Sequence, residues 1–119
     1  MKALVVDDSA VMRKVLIGAL DRAGISDVDQ AADGLEAVKA TDSTEYDIIL
    51  MDWNMPNMLG IDAVVKIREN GKTAPIIMVT TEAEKSRVID ALKAGAQNYV
   101  IKPFEPAAIV SKIHEVIGK

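Results

Sequence analysis

Short, continuous apolar runs alternate with longer segments of helical periodicity, and this alternation constrains the fold more than any other feature of the sequence. Four strong runs end at Val6, Met51, Val79 and Ile101, and a weaker one lies near residues 28–31. Continuous apolarity is typical of strands that are covered on both faces, as in a parallel sheet. The order of elements therefore predicts five β-α units in an open, doubly wound α/β domain with helices on both faces of the sheet.

The segments between the runs carry apolar residues at the spacing of one helix face. In the first helix this face is formed by Met12, Val15, Leu16, Ala19 and Leu20. The fourth helix lies near residues 84–94. We expect residues 1–119 to form a single domain with no output domain after it.

Composition excludes several classes of function. The chain has no cysteine and a single histidine, His114, so thiolate and multi-histidine metal sites are excluded. A net charge of -4 argues against nucleic acid as a partner. The apolar runs are far shorter than the roughly 18 residues of a membrane span, so we expect a cytoplasmic protein without membrane contact.

Polar residues directly follow four of the predicted strands: Asp7 and Asp8, Asp52, Thr80, and Lys102. Because the carboxyl ends of parallel strands meet at one edge of the sheet, these side chains are expected to share one cleft. Each residue alone has an ordinary explanation, such as a helix cap for Asp8. Their joint occurrence at one edge favours a binding site.

The chemistry of this group predicts a magnesium site that handles phosphate. Three neighbouring carboxylates repel one another and need a cation or raised pKa values. Oxygen ligands without histidine or cysteine favour a hard ion such as Mg²⁺. A metal ion beside a lysine ammonium can hold a phosphoryl group, and a carboxylate can attack phosphorus to form an acyl phosphate.

These residues lie in longer motifs that resemble those of two-component receiver domains, in particular the single-domain chemotaxis regulators. The motifs are Val5-Val6-Asp7-Asp8-Ser9, Met51-Asp52-Trp53-Asn54-Met55-Pro56, Val79-Thr80, Ala94-Gly95-Ala96 and Lys102-Pro103-Phe104. The resemblance extends over residues 2–117 and implies the flavodoxin-like strand order 2-1-3-4-5. Leu59 departs from the pattern, because such proteins usually carry a polar residue there.

The resemblance implies a metal site with a phosphoacceptor. Asp52 is expected to accept the phosphoryl group and to bind Mg²⁺. Asp8 is expected to bind the ion directly, and Asp7 mainly through bound water. The main-chain carbonyl of Asn54 is expected to complete the protein ligands. Asn54 and Glu82 are expected to tune the later hydrolysis of the acyl phosphate.

The resemblance also implies a switch. Lys102 is expected to pair with the phosphoryl oxygens, and its peptide bond to Pro103 is expected to be cis. Thr80 is expected to donate its hydroxyl to the phosphoryl group, and Tyr99 to turn inward as Thr80 moves. The surface of the fourth helix, fifth strand and fifth helix then changes. Trp53, beside the phosphoacceptor, is expected to be partly exposed and to report on the site.

Charge is distributed unevenly along the chain. Residues 27–52 contain eight acidic side chains and one basic one, whereas residues 66–102 contain seven basic and four acidic ones. The output face, with Lys85, Arg87, Lys93 and Tyr99, is therefore expected to be less acidic than the metal site. Such a face favours an acidic segment of a protein partner.

The resemblance implies a monomeric response regulator that receives a phosphoryl group from a histidine kinase and binds a protein target, such as the flagellar motor switch. It catalyses only its own phosphorylation and dephosphorylation. A shuttle or phosphate sink in another phosphorelay is an alternative. A small Mg²⁺-dependent aspartyl phosphatase is a rival of a different class, which predicts sustained turnover of phosphate esters. A purely structural interaction domain is a further rival, which predicts no response to Mg²⁺.

Overall fold

A five-stranded parallel sheet forms the centre of the molecule, of which the computed structural model describes residues 1–81 and 88–118. The strands are β1 (Lys2–Val6), β2 (Asp27–Ala31), β3 (Ile48–Asp52), β4 (Ile76–Thr81) and β5 (Asn98–Lys102). The helices are α1 (Ala10–Arg22), α2 (Gly34–Ser43), α3 (Gly60–Glu69), α4 (Val88–Ala94) and α5 (Pro106–Ile117). The strand order is β2-β1-β3-β4-β5, which confirms the predicted fold class and topology.

Two apolar clusters lie on opposite faces of the sheet. In β1, Leu4 and Val6 belong to one cluster, and Ala3 and Val5 belong to the other, because successive strand residues point to opposite faces. Helices α2, α3 and α4 cover the first cluster, and helices α1 and α5 cover the second. This double coverage is the physical reason for the continuous apolar runs in the sequence.

The helix starts at the carboxyl edge of the sheet differ in their caps. The Ser9 hydroxyl accepts a hydrogen bond from the Met12 amide at 3.2 Å, and the Asp33 carboxylate accepts one from the Glu36 amide at 2.8 Å. Leu59 occupies the same position before α3 and makes no side-chain cap bond. In α1, Leu16, Ala19 and Leu20 are buried, whereas Val15 lies at the margin of this stripe and is 43% exposed.

Helix α4 is described only from Val88. The predicted start of this helix, together with Glu82, Lys85 and Arg87, lies outside the described residues. Within the described part of the chain, no helix is long and apolar enough to cross a membrane.

Candidate functional site

Three aspartates meet where β1 and β3 end. The parallel register pairs Val6 of β1 with Met51 of β3. The residues that follow them, Asp7 and Asp52, therefore lie side by side at the ends of adjacent strands. One carboxylate oxygen from each of Asp7, Asp8 and Asp52 lies within 4.8 Å of the others. Asp7 is 1% exposed and Asp52 is 6% exposed, whereas Asp8 is exposed. The site therefore combines two buried carboxylates with one that is exposed to solvent.

Lys102 completes what we call the carboxyl-edge cluster, which consists of Asp7, Asp8, Asp52 and Lys102. Its ammonium nitrogen lies 3.2 Å from Oδ2 of Asp7 and 3.1 Å from Oδ1 of Asp52. Since β4 separates β5 from β3 in the sheet, the long lysine side chain spans the end of β4 to reach both carboxylates. The peptide bond between Lys102 and Pro103 is cis, as predicted.

Burial governs the electrostatics of this cluster. Desolvation of Asp52, followed by the charge of Asp7, raises the pKa of Asp52 to about 6, although Lys102 opposes the shift. Burial of the Lys102 ammonium acts to lower its pKa, but the hydrogen bond and charge of Asp52, with the charge of Asp7, raise that pKa above its ordinary value. At neutral pH the cluster therefore combines an ionised Asp52 with a charged Lys102.

Arg13 and Ser9 hold the loop that carries Asp7 and Asp8. The Ser9 amide donates to Oδ1 of Asp7 at 2.9 Å. The Arg13 guanidinium donates to the Asp7 carbonyl at 2.6 Å and to the Gln30 side chain at 2.9 Å. Sequence reasoning missed Arg13, because its spacing within α1 gives no sign of a contact with β2.

Helix α3 begins directly against the backbone of the phosphoacceptor candidate. The Gly60 amide donates to the Trp53 carbonyl at 2.8 Å. A β-carbon at Gly60 would clash with the Asp52 carbonyl oxygen, so any other residue here would force the backbone to shift. Glycine therefore lets α3 approach the end of β3.

Trp53 was expected to be partly exposed, and this expectation was wrong. Its side chain is 3% exposed and belongs to the apolar cluster that also contains Met55, Ala63 and Met78. The helices on this face cover the residue that follows β3, so the indole packs inward. The indole belongs to the residue directly after Asp52, and its use as a spectroscopic reporter of the site stays a prediction.

The other predicted site residues differ in burial and in the element that carries them. Thr80 is 1% exposed at the end of β4, and its hydroxyl donates to the Thr81 carbonyl at 3.5 Å. Asn54 is exposed in the loop that follows β3. Tyr99 is half-buried on β5, three residues before Lys102, and Lys93 is exposed on α4.

Tyr99 also lines a cleft of about 450 Å³ along β5 and the start of α5, together with Pro103, Phe104 and Ala108. The cleft is separate from the carboxyl-edge cluster, although β5 contributes to both through Tyr99 and Lys102.

The donor set fits a hard divalent cation. Three carboxylates offer oxygen atoms within 4.8 Å of one another, and Asp8 is accessible from solvent. Two of the carboxylates are buried, so an added cation would offset their mutual repulsion. Oxygen-rich sites of this kind suit Mg²⁺, which keeps several waters when it binds to protein carboxylates.

Comparison with known proteins identifies the family. Residues 3–114 match the response regulator receiver domain, and the chain belongs to this family. It is 46% identical to the chemotaxis protein CheY1 of Helicobacter pylori, over 99% of this chain and 98% of that protein. The similarity to CheY proteins over nearly the whole length makes this a CheY-like receiver.

Two solved structures share the fold. The chemotaxis protein CheY4 of Vibrio cholerae is 35% identical, with a TM-score of 0.87 over 97% of each chain. The receiver domain of a Pseudomonas aeruginosa sensor histidine kinase is also 35% identical, with a TM-score of 0.86 over 99% of this chain and 98% of that one. The latter structure contains a magnesium ion coordinated in its active site cleft.

Proposed function

We propose that this protein accepts a phosphoryl group from the phosphohistidine of a histidine kinase onto Asp52, with Mg²⁺ bound at the carboxyl-edge cluster. The observation that carries the proposal is the convergence of three aspartates and Lys102, which lies 3.1 Å from Asp52. Membership of the receiver family supports the same chemistry. The magnesium ion in the active site cleft of the Pseudomonas receiver supports the choice of metal.

The proposed metal ligands are carboxylate oxygens of Asp8 and Asp52 and the main-chain carbonyl of Asn54. The two carboxylate oxygens of Asp7 already accept hydrogen bonds from the Ser9 amide and Lys102, which supports its proposed contact through water. When bound, Mg²⁺ supplies positive charge that offsets the negative charge of the carboxylates and of the phosphoryl oxygens.

In the proposed transfer, a carboxylate oxygen of Asp52 forms a bond to phosphorus while the bond between phosphorus and the donor histidine nitrogen breaks. Lys102 moves its interaction from the carboxylate to a phosphoryl oxygen. Thr80, at the end of the neighbouring strand, donates its hydroxyl to another phosphoryl oxygen. Water later hydrolyses the acyl phosphate, at a rate that Asn54 and Glu82 tune. The protein therefore acts on its own phosphoryl group and on no external substrate.

The proposed output is the surface of α4, β5 and α5. Thr80 and Tyr99 couple the phosphoryl group to this surface, and Lys85, Arg87 and Lys93 favour an acidic segment of the target. Full-length similarity to a chemotaxis protein supports the flagellar motor switch as the target. The alternative of a shuttle or phosphate sink uses the same Asp52 chemistry with a different partner.

The test is covalent labelling by acetyl phosphate, measured by intact-protein mass spectrometry with and without Mg²⁺. We expect one phosphoryl group per chain, which depends on Mg²⁺ and is absent in Asp52→Asn. Asp47→Asn, a change at an exposed aspartate, is the matched control and should label like the wild type. Labelling that persists in Asp52→Asn contradicts the proposal, and sustained turnover of phosphate esters favours the phosphatase.

The partner is tested by measuring binding to the purified motor-switch protein with and without beryllofluoride, a mimic of the phosphoryl group. We expect tighter binding in the presence of beryllofluoride and weaker binding at higher salt. Equal binding in both states contradicts the motor-switch proposal and favours a shuttle or sink.

A further inference from the structure

A side-chain hydrogen bond attaches the loop between β3 and α3, residues 53–59, to the start of α2. The Asn57 side-chain amide donates to Oδ2 of Asp33 at 2.7 Å. The other oxygen of Asp33 accepts from the Glu36 amide at 2.8 Å and caps α2. Asp33 is 8% exposed, so this acceptor is shielded from water. We call the contact between these two side chains the Asp33–Asn57 bridge.

The backbone on both sides of the bridge is adapted to this contact. Asn57 has a φ of 68°, a left-handed conformation that asparagine tolerates better than most residues. On the opposite side, a β-carbon at Gly34 would lie 2.8 Å from both Cβ and the carbonyl oxygen of Met58. The start of α2 and the loop therefore touch at two adjacent points, one polar and one packed.

With Asn57 as the donor, both functions of residue 33 need an acceptor oxygen each, and the aspartate carboxylate supplies two. A serine cap could accept from the Glu36 amide, but its single short hydroxyl offers no second oxygen for Asn57. The pKa of Asp33 is lowered, first by the Glu36 amide and then by the Asn57 side chain. Both contacts therefore favour the carboxylate form.

The loop that the bridge holds is the one that carries the proposed carbonyl ligand. Trp53 and Gly60 close its ends through a 2.8 Å backbone hydrogen bond, and Met55 is 7% exposed in the core below. Asn57 is exposed and is attached to α2 only three residues after Asn54. Fixing a ligand-bearing segment before binding reduces the ordering cost of binding.

We propose that Asp33 and Asn57 are positioning residues for the metal site: their bridge fixes the loop so that the Asn54 carbonyl faces Mg²⁺. This inference rests on the proposed Mg²⁺ site. Neither residue contacts the carboxyl-edge cluster in the proposal; both act through the backbone between Asn54 and Asn57. Loss of the bridge weakens Mg²⁺ binding while the fold stays intact.

The first test compares two asparagine-to-glycine variants by titration with MgCl₂ at constant ionic strength, followed by Trp53 fluorescence. Asn57→Gly keeps the left-handed backbone and removes the bridge, and should raise the Mg²⁺ dissociation constant about fivefold, the effect of one net hydrogen bond. Asn70→Gly is the matched control. It removes a 3.2 Å hydrogen bond between Asn70 and Asp42, which joins the C-terminal ends of α3 and α2, and should leave the constant unchanged.

The second test is a double-mutant cycle with Asp33→Ser, which keeps a cap on α2 but removes the acceptor for Asn57. Asp33→Ser also removes a negative charge, and this charge effect should be the same whether or not Asn57 is present. If the bridge positions the loop, the fold increase in the Mg²⁺ dissociation constant caused by Asn57→Gly should shrink toward one in the Asp33→Ser background. The swap Asp33→Asn with Asn57→Asp restores a donor opposite a carboxylate, and should restore most of the affinity.

A structural role alone would lower the free energy of unfolding in urea without changing Mg²⁺ affinity. Three outcomes overturn the inference. Asn57→Gly binds Mg²⁺ as tightly as the wild type, or Asn70→Gly loses as much affinity as Asn57→Gly. The third is that Asn57→Gly weakens Mg²⁺ binding as much in the Asp33→Ser background as in the wild type. These outcomes leave the proposed function standing, because the wild type still binds Mg²⁺. A folded wild type that does not respond to Mg²⁺ overturns the proposed function and the inference together.

Discussion

Two clusters at opposite ends of the sheet contain the same residue types and differ mainly in burial. The amino-edge cluster consists of Lys2, Asp27 and Asp29, with lysine-to-carboxylate distances of 3.3 and 3.7 Å. In the carboxyl-edge cluster the corresponding distances are 3.2 and 3.1 Å. The two paired aspartate side chains are 64% and 43% exposed at the amino edge, but 1% and 8% exposed at the carboxyl edge.

This difference indicates that burial, and not proximity alone, determines how strongly the charged groups of a cluster interact. Water screens the amino-edge pairs, and exposed ion pairs contribute little to stability. At the carboxyl edge, desolvation and then the charge of Asp7 raise the pKa of Asp52 to about 6. The resulting repulsion makes this edge a place where an added cation is stabilising.

The largest expected effect comes from removing the lysine of each cluster. Lys102→Met leaves two buried carboxylates without their ammonium partner, and should lower the free energy of unfolding at neutral pH by about 3 kcal/mol in the absence of Mg²⁺. Lys2→Met should leave it unchanged within error. Urea denaturation measures both values. An equal loss of stability in Lys102→Met and Lys2→Met would contradict the difference between the two clusters. Partial recovery of the stability of Lys102→Met on adding Mg²⁺ would support it further.

A second, smaller effect tests how tightly the backbone packs at the carboxyl edge. Gly60→Ala should destabilise the protein by about 2 kcal/mol, because the added β-carbon clashes with the Asp52 carbonyl oxygen and the backbone must shift. Gly18→Ala is the control, since nothing lies within 4 Å of its β-carbon. It should stabilise helix α1 by about 0.5–1 kcal/mol. Thermal and urea unfolding give both values, and the same sign for the two variants would contradict this account.

The smallest expected effect concerns Asp33, a carboxylate held by N–H donors instead of a lysine. The folded state lowers its pKa below the ordinary value of 3.8, so its stabilising effect is complete above pH 3.8 and is lost as the pH falls through the folded-state pKa. The stability difference between wild type and Asp33→Ser should therefore shrink below pH 3.8. Urea titrations across this range measure it. A difference that stays constant at low pH would contradict the predicted linkage.

The sequence predicted the fold and the centre of the site because both follow from local patterns. Continuous apolar runs identified the parallel strands, and residues after those runs had to meet at one edge. That reasoning correctly brought together Asp7, Asp8, Asp52 and Lys102, which the structure places in one cluster. The strand order required the resemblance to receiver domains, since periodicity alone does not determine how strands are arranged.

The supporting contacts could not be predicted, because they join side chains that are distant in sequence. Arg13 reaches Gln30, and Asn57 reaches Asp33, without any periodic signal. Burial of Trp53 was misjudged because a residue after a strand can still lie under the neighbouring helices.

The most direct test of the central claim is an NMR titration of the wild-type protein with MgCl₂, with backbone amide shifts followed at both edges of the sheet. The account predicts saturable shifts around Asp7, Asp8, Asp52 and Asn54 and none around Lys2, Asp27 and Asp29. Shifts of equal size at the two clusters, or shifts confined to the amino edge, would show that burial of the carboxyl-edge aspartates does not create the metal site.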